Sequence, residues 1–334
     1  MVSKPVNQRT AIRRGPCAKK AGGGRTKNIL FFALFILVCL FSMRVCFFVF
    51  DNSVSLTGVN EGGCPEIGGS MISSSECMNT GTVTKITRVD FQPVVNEFVL
   101  SSGGEKGVVI YDLDLNEVVG EYNADKVMRI ESIYKLFVVY EGYLRVSSGE
   151  WSADGACGNT GMTILKCLDI AIRESSSYAA EALWGMIGRG TLDEIVHTDF
   201  GLPNVTVGSI SASAREVMEM MKKFYYHAEI TDTNLVATMK DSFLNQPPSA
   251  GLCSGPCVWR QGLPSGFSDE VDVYNKVGWL GNGAGGWIYY ADAAILDFKN
   301  AGRKYITVVL TSGISYKKIA ELGSAIEQHF NDAV

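Results

Sequence analysis

Apolar positions recur along this chain with two periods, and turn residues mark where one gives way to the other. Residues 107–113 (GVVIYDL) and 117–122 (EVVGEY) are short β-branched and aromatic runs either side of Asp114-Leu115-Asn116, which predicts a hairpin. From Ser132 to about Tyr143 the apolar positions 133, 136, 137 and 140 fall on one helical face. Residues 161–172, 178–187 and 191–197 repeat that period. A capping serine at 209 or 211 opens a further helix over 212–225, with Val217, Met218, Met221 and Phe224 on one side. Its methionines read as core filling. Residues 271–275, 287–298 and 304–311 alternate or run apolar as strands do, and 315–330 closes the chain as a helix. Hairpin, helices, three strands and a terminal helix is an α+β order.

A third pattern lies upstream. Residues 29–50, ILFFALFILVCLFSMRVCFFVF, are broken only by Ser42 and Arg44, long enough to cross a bilayer as one helix. Residues 1–28 carry eight basic side chains and no acid, whereas beyond Phe50 there are 21 basic and 35 acidic residues, 21 − 35 = −14. The positive tail therefore belongs on the cytoplasmic side and the bulk of the chain outside the cell membrane. A cleaved signal peptide would need a shorter apolar core and a small-residue cleavage site. A basic tail also suits nucleic acid, but its place before a span makes topology the simpler cause. Residues 51–90, rich in Ser, Gly, Thr and Asn, read as an extracytoplasmic stalk, leaving 91–334 as the domain.

Six cysteines follow the span: Cys64, Cys77, Cys157, Cys167, Cys253 and Cys257. An even number outside a membrane suggests disulfides, with sequence neighbours as the suggested pairs. Cys253 and Cys257 would also suit half a zinc site, yet no second close pair or histidine accompanies them. No metal or cofactor is implied. Asn204-Val-Thr206 fits a glycosylation acceptor.

Chemistry enters at Ser132-Ile-Tyr-Lys135. Residues three apart on a helix share a face, so Lys135 lies beside the Ser132 hydroxyl, and a partly desolvated lysine there can serve as its base. Ser175-Ser-Ser-Tyr178 follows 43 residues later, and Asn275-Lys-Val-Gly-Trp279 brings Lys276 101 residues after Ser175. The order and spacing resemble the Ser-x-x-Lys, Ser-Asp-Asn, Lys-Thr-Gly signature of class A β-lactamase-like and penicillin-binding-protein-like serine hydrolases. Tyr122-Asn-Ala-Asp-Lys126 and Arg260-Gln-Gly-Leu-Pro264 extend the likeness, which covers about residues 105–334.

The resemblance implies a five-stranded antiparallel sheet with flanking helices and a helical subdomain, the site lying between. It implies Ser132 as the acylated nucleophile, Lys135 as its base, Ser175 as proton relay and Lys276 as the charge behind the relay. The N–H groups of Ser132 and Trp279 would form the oxyanion hole, and Gly278 and Trp279 would be among the substrate-binding residues. Ser177 and Arg260 would contact substrate, Arg260 being equally suited to a structural ion pair. The implied partner is a β-lactam or a peptidoglycan-like peptide, without nucleic acid.

Three departures qualify this. Residues 197–211 lack a Glu-x-x-Leu-Asn for activating water, having Asp199 as their only acid. Ser176-Ser177 replaces Asp-Asn. Val277 replaces the hydroxyl residue of the third motif. Each removes a polar contact worth on the order of 1 kcal/mol. Acylation with limited deacylation is the expected behaviour; a catalytically impaired binding or sensor domain is the other reading. Glu181 is a possible substitute base, Glu131 offsets helix-terminus charge, and His197, His227 and His329 read as structural or exposed.

Overall fold

The structure is a computed structural model and describes residues 86–246, 260–281 and 287–334. Five strands form one antiparallel sheet: β1 (Glu105–Asp112), β2 (Glu117–Tyr122), β5 (Val271–Gly281), β6 (Trp287–Phe298) and β7 (Arg303–Ser312), in the order β2-β1-β7-β6-β5. A separate pair joins β3 (Met128–Arg129) to β4 (Ser211–Ala212). The helices are α1 (Gln92–Ser101), α2 (Lys135–Ser147), α3 (Ile164–Arg173), α4 (Ser177–Ile187), α5 (Arg189–Thr198), α6 (Ala214–Tyr226), α7 (Thr233–Leu244) and α8 (Tyr316–Ala333).

The strands read as apolar runs because both sheet faces are covered. Val109 and Tyr111 of β1, with Ile306, Val308 and Leu310 of β7, join the core against α2 to α7. Their neighbours Val108, Ile110, Tyr305 and Val309 join a second core with α1 and α8. A buried ion pair of Asp112 with Arg303 ties β1 to β7. Arg303 also donates to the Thr87 carbonyl (2.8 Å) and Val89 is buried, so packing against the sheet begins just before residue 91.

The predicted hairpin and helices stand, with four differences. The helix after Ser132 begins as a 3-10 turn (Glu131–Tyr134) and continues as α2, whose residues 135–143 are all buried; it is a central helix and not one with a single apolar face. The cap of α6 is Ser213, in a capping box with Glu216, since Ser211 is spent on pairing with Arg129. The third motif does not end a strand: β5 runs on to Gly281. Helices α1 and α7 were not anticipated.

Cys157 and Cys167 form a disulfide. Cys64, Cys77, Cys253 and Cys257, and the predicted tail, span and most of the stalk, lie outside the described residues. Among the described residues no helix is long and apolar enough to cross a membrane.

Candidate active site

Ser132 is presented by a bend that the backbone does not adopt freely. Glu131 has φ +46°, a left-handed conformation costing a side-chain-bearing residue on the order of 1–2 kcal/mol. It is held by Ile130 N–H donating to the Ile210 carbonyl (3.0 Å) and by its own ion pair with Arg129 (2.8 Å). Ser175, in the link from α3 to α4, is left-handed too, at φ +51°. Ser176 then caps α4 by accepting from Ala179 N–H (3.3 Å). Two residues in left-handed conformations, Glu131 and Ser175, thus set the two serines in place from different elements.

Lysines join them. Lys135 Nζ, fully buried, donates to Ser132 Oγ (2.7 Å), the Ser175 carbonyl (2.9 Å), Ser177 Oγ (3.2 Å) and Ser175 Oγ (3.3 Å). Lys276 reaches across from β5, its Nζ donating to Ser175 Oγ (2.9 Å) and the Val277 carbonyl (2.6 Å). Burial lowers Lys135 to about 8, the Glu181 carboxylate opposing that shift. Burial and then the charge of Lys135 hold Lys276 well below the usual lysine range, with Asp292 acting against them. Two ammonium groups against one hydroxyl repel, so the pair favours losing a proton.

Gly278 brings the sheet to the nucleophile. A Cβ there would collide with the Ile130 carbonyl oxygen and stand 3.0 Å from Ser132 N, so the Gly278–Trp279 peptide lies against the start of the Ser132 turn. Trp279 is exposed at the end of this approach. Ser177 is exposed and engaged with Lys135. Arg260 has gone elsewhere: its Nη1 donates to the Leu244 (3.2 Å) and Val273 (3.3 Å) carbonyls, tying α7 to β5.

Tyr134, Arg189 and Asp292 escape notice in the sequence. Tyr134 donates to Glu181 (3.2 Å), whose other oxygen pairs with Arg189, so the suggested substitute base is already committed on both sides. Asp292, wholly buried on β6, accepts from Asn275 Nδ2 (3.0 Å) and Leu263 N–H (2.9 Å). Burial raises it to about 7. Its signal was a lone acid in the apolar run YYADAAIL. Of the histidines, His197 bonds the Val205 carbonyl (2.6 Å), His329 the Asp90 carbonyl (2.8 Å), and His227 ends α6 in a left-handed conformation.

Residues 90–330 match the family model of the Beta-lactamase enzyme family. Among solved structures, PBP-A is similar at TM-score 0.61 and 16% identity, over 72% of this chain and 96% of that one. A class A β-lactamase from Bacteroides cellulosilyticus gives 0.60 and 15%, over 74% and 100%. A β-lactamase from Chitinophaga pinensis gives 0.60 and 15%, over 72% and 98%. At these identities the likeness is one of fold. No curated protein matches the chain.

Proposed function

We propose, for a chain that belongs to the β-lactamase enzyme family, that it is a serine hydrolase acylated on Ser132 by an amide or ester substrate and slow to release the acyl group. The observation that carries this is the convergence of Lys135 and Lys276 on Ser175 Oγ, with Lys135 also on Ser132 Oγ. Neutral Lys135 takes the Ser132 proton as Oγ bonds to the substrate carbonyl carbon. The oxyanion is met by the N–H groups of Ser132 and Trp279. As the bond to the leaving nitrogen or oxygen breaks, Ser175 passes it a proton that Lys135 replenishes, and Lys276 supports the charge on the relay.

Slow release follows from what surrounds the acylated serine. Asp199, the acid of residues 197–211, accepts from Thr198 Oγ1 (2.7 Å) at the exposed end of α5, and Glu181 is held by Tyr134 and Arg189. Among the described residues no carboxylate hydrogen-bonds to Ser132 or Lys135, so a water attacking the ester lacks a dedicated base. Residues 1–50 are read as a cytoplasmic tail and a single membrane span that hold the domain outside the cell, a topology to be checked by protease protection of the domain in sealed vesicles.

Intact-mass spectrometry after exposure to a penicillin and to an activated ester tests the chemistry. A persistent adduct on the wild type and none on Ser132→Ala is the expected result. A folded wild type that takes up neither probe would leave a binding domain as the reading to pursue.

A further inference from the structure

The helical layer does not close evenly over the sheet. On the face of β6 turned to the helices, Ala291 and Ala293 are buried, whereas Ile295 and Asp297, next along that face, are only half-buried. Tyr274, the cross-strand partner of Ile295, is half-buried too. Above them α6 contributes Phe224, and α7 contributes Met239 and Phe243, the two phenyl rings meeting edge to face at 5.0 Å. Between sheet and helices these side chains surround a cavity of about 100 Å³. Native interiors rarely keep such a space, because its lining loses dispersion contacts. An enclosed cavity of about 150 Å³ accommodates benzene. One of this size, open to the surface, takes a single ring with its polar end outside.

Charge lies at the rim of this cavity. Lys240, exposed on α7, and Lys304 on β7 stand with Asp297 of β6. Lys304 pairs with Asp297 at 3.4 Å. Among the described residues Lys240 has no hydrogen-bond or ion-pair partner. The nearby acids Asp241 and Asp272 are paired with Arg173 and Lys299. Two cations against one acid leave a single positive charge, the complement of a monocarboxylate. The lining suits an aromatic ring, since Phe224, Phe243 and Tyr274 offer ring contacts and Met239 a thioether. Tyr274 precedes Lys276 by two residues on one strand face, yet Ser132, Lys135, Ser175 and Lys276 do not line the cavity.

We propose that this cavity is a second binding site, separate from the nucleophile, for a small aromatic monocarboxylate of about the size of phenylacetate. The ring seats against Ile295, Met239, Phe224 and Phe243, and the carboxylate accepts from the Lys240 ammonium. The site stands whether or not Ser132 is acylated.

The test uses the full chain in phosphatidylcholine nanodiscs, with protein-free nanodiscs as the blank. The probe is 4-fluorophenylacetate, its binding read from fluorine NMR line width; 4-fluorobenzylamine carries the same ring with the opposite charge. A ligand of this size and ordinary efficiency binds with Kd of about 1–10 mM. The acid is expected to bind about fivefold more tightly than the amine, the scale of exchanging one exposed ionic attraction for a repulsion. Lys240→Glu, a surface change that leaves the packing intact, should reverse that order. Ile295→Phe fills the cavity and should abolish acid binding, thermal melting confirming that the variant is folded. An amine that binds as tightly as the acid overturns the proposal. So does acid binding that persists unchanged in both variants, which would place it elsewhere on the protein, or an acid line that the wild type leaves unbroadened at about 10 mM.

Discussion

Lys135 is where one side chain sets both rate and stability. With its pKa lowered to about 8 by burial, only about a tenth of the lysine is neutral at pH 7. The acylation rate is therefore expected to rise nearly tenfold per pH unit below about 8 and to level off above it, as read from the initial rate of adduct formation. Lys135→Arg keeps the charge and cannot give it up, so acylation should fall by about 10²–10⁴-fold, the usual weight of a general base. The same lysine acts on stability in a window set by the two pKa values. Its folded value of about 8 lies below the unfolded 10.5, so between them the unfolded chain binds more protons and stability climbs as pH rises. Below about 8 the folded protein carries the buried charge at full cost. Lys135→Met removes that cost, and at pH 7 it should raise stability by on the order of 1–3 kcal/mol while abolishing acylation. A denaturant titration at pH 7 and pH 10 reads both effects, since the variant loses the wild type's rise.

At the scale of elements, the site depends on close approaches that small residues permit. Gly278→Ala sets a methyl against the Ile130 carbonyl and Ser132 N. Moving β5 back by about 1 Å should cost acylation about 10²-fold and stability about 1–3 kcal/mol, measured by adduct rate and thermal melting. The Cys157–Cys167 bridge closes a 10-residue separation ahead of and into α3. Replacing both cysteines by serine should cost about 2–3 kcal/mol, seen as a lowered denaturant midpoint at unchanged slope. These elements were unequally legible. Strands β1, β6 and β7 announced themselves because two covered faces leave apolar runs, β2 by lying across a short turn from β1, and the pairing of Ser132 with Lys135 followed from helical spacing. Helix α1 was hidden beside a stretch that reads as stalk, and α7 by an ordinary polar composition. The cap at Ser213 lost to two nearer serines, because strand pairing at Ser211 is a tertiary fact. The contacts of Asp292 and of Tyr134 with Glu181 were hidden for the same reason, since each joins separate elements and none has a motif; for Asp292 the lone acid in an apolar run marks burial without naming its partners.

The whole molecule meets at Ser175. The sheet supplies Lys276, the central helix supplies Lys135, and the link from α3 to α4 supplies the hydroxyl that both lysines reach. If the two lysines served separate purposes, their removal would cost independent increments of transition-state energy. The geometry argues otherwise, because Lys276 can act on the reaction chiefly through the hydroxyl it shares. With Ser175→Ala in place, Lys276 has no relay to support, and Lys276→Ala should add little further loss. The expected result of a double-mutant cycle on kcat/KM is thus strong non-additivity: the double variant close to the worse single one, with a coupling energy on the order of 1–3 kcal/mol. Ser177→Ala, which takes from Lys135 one acceptor among several, should by contrast combine nearly additively with Lys276→Ala. Additive losses for Ser175 and Lys276 would mean that the sheet contributes to catalysis by a route other than the shared hydroxyl. That outcome would separate the two layers of the fold into independent parts of the site, where the structure joins them in one.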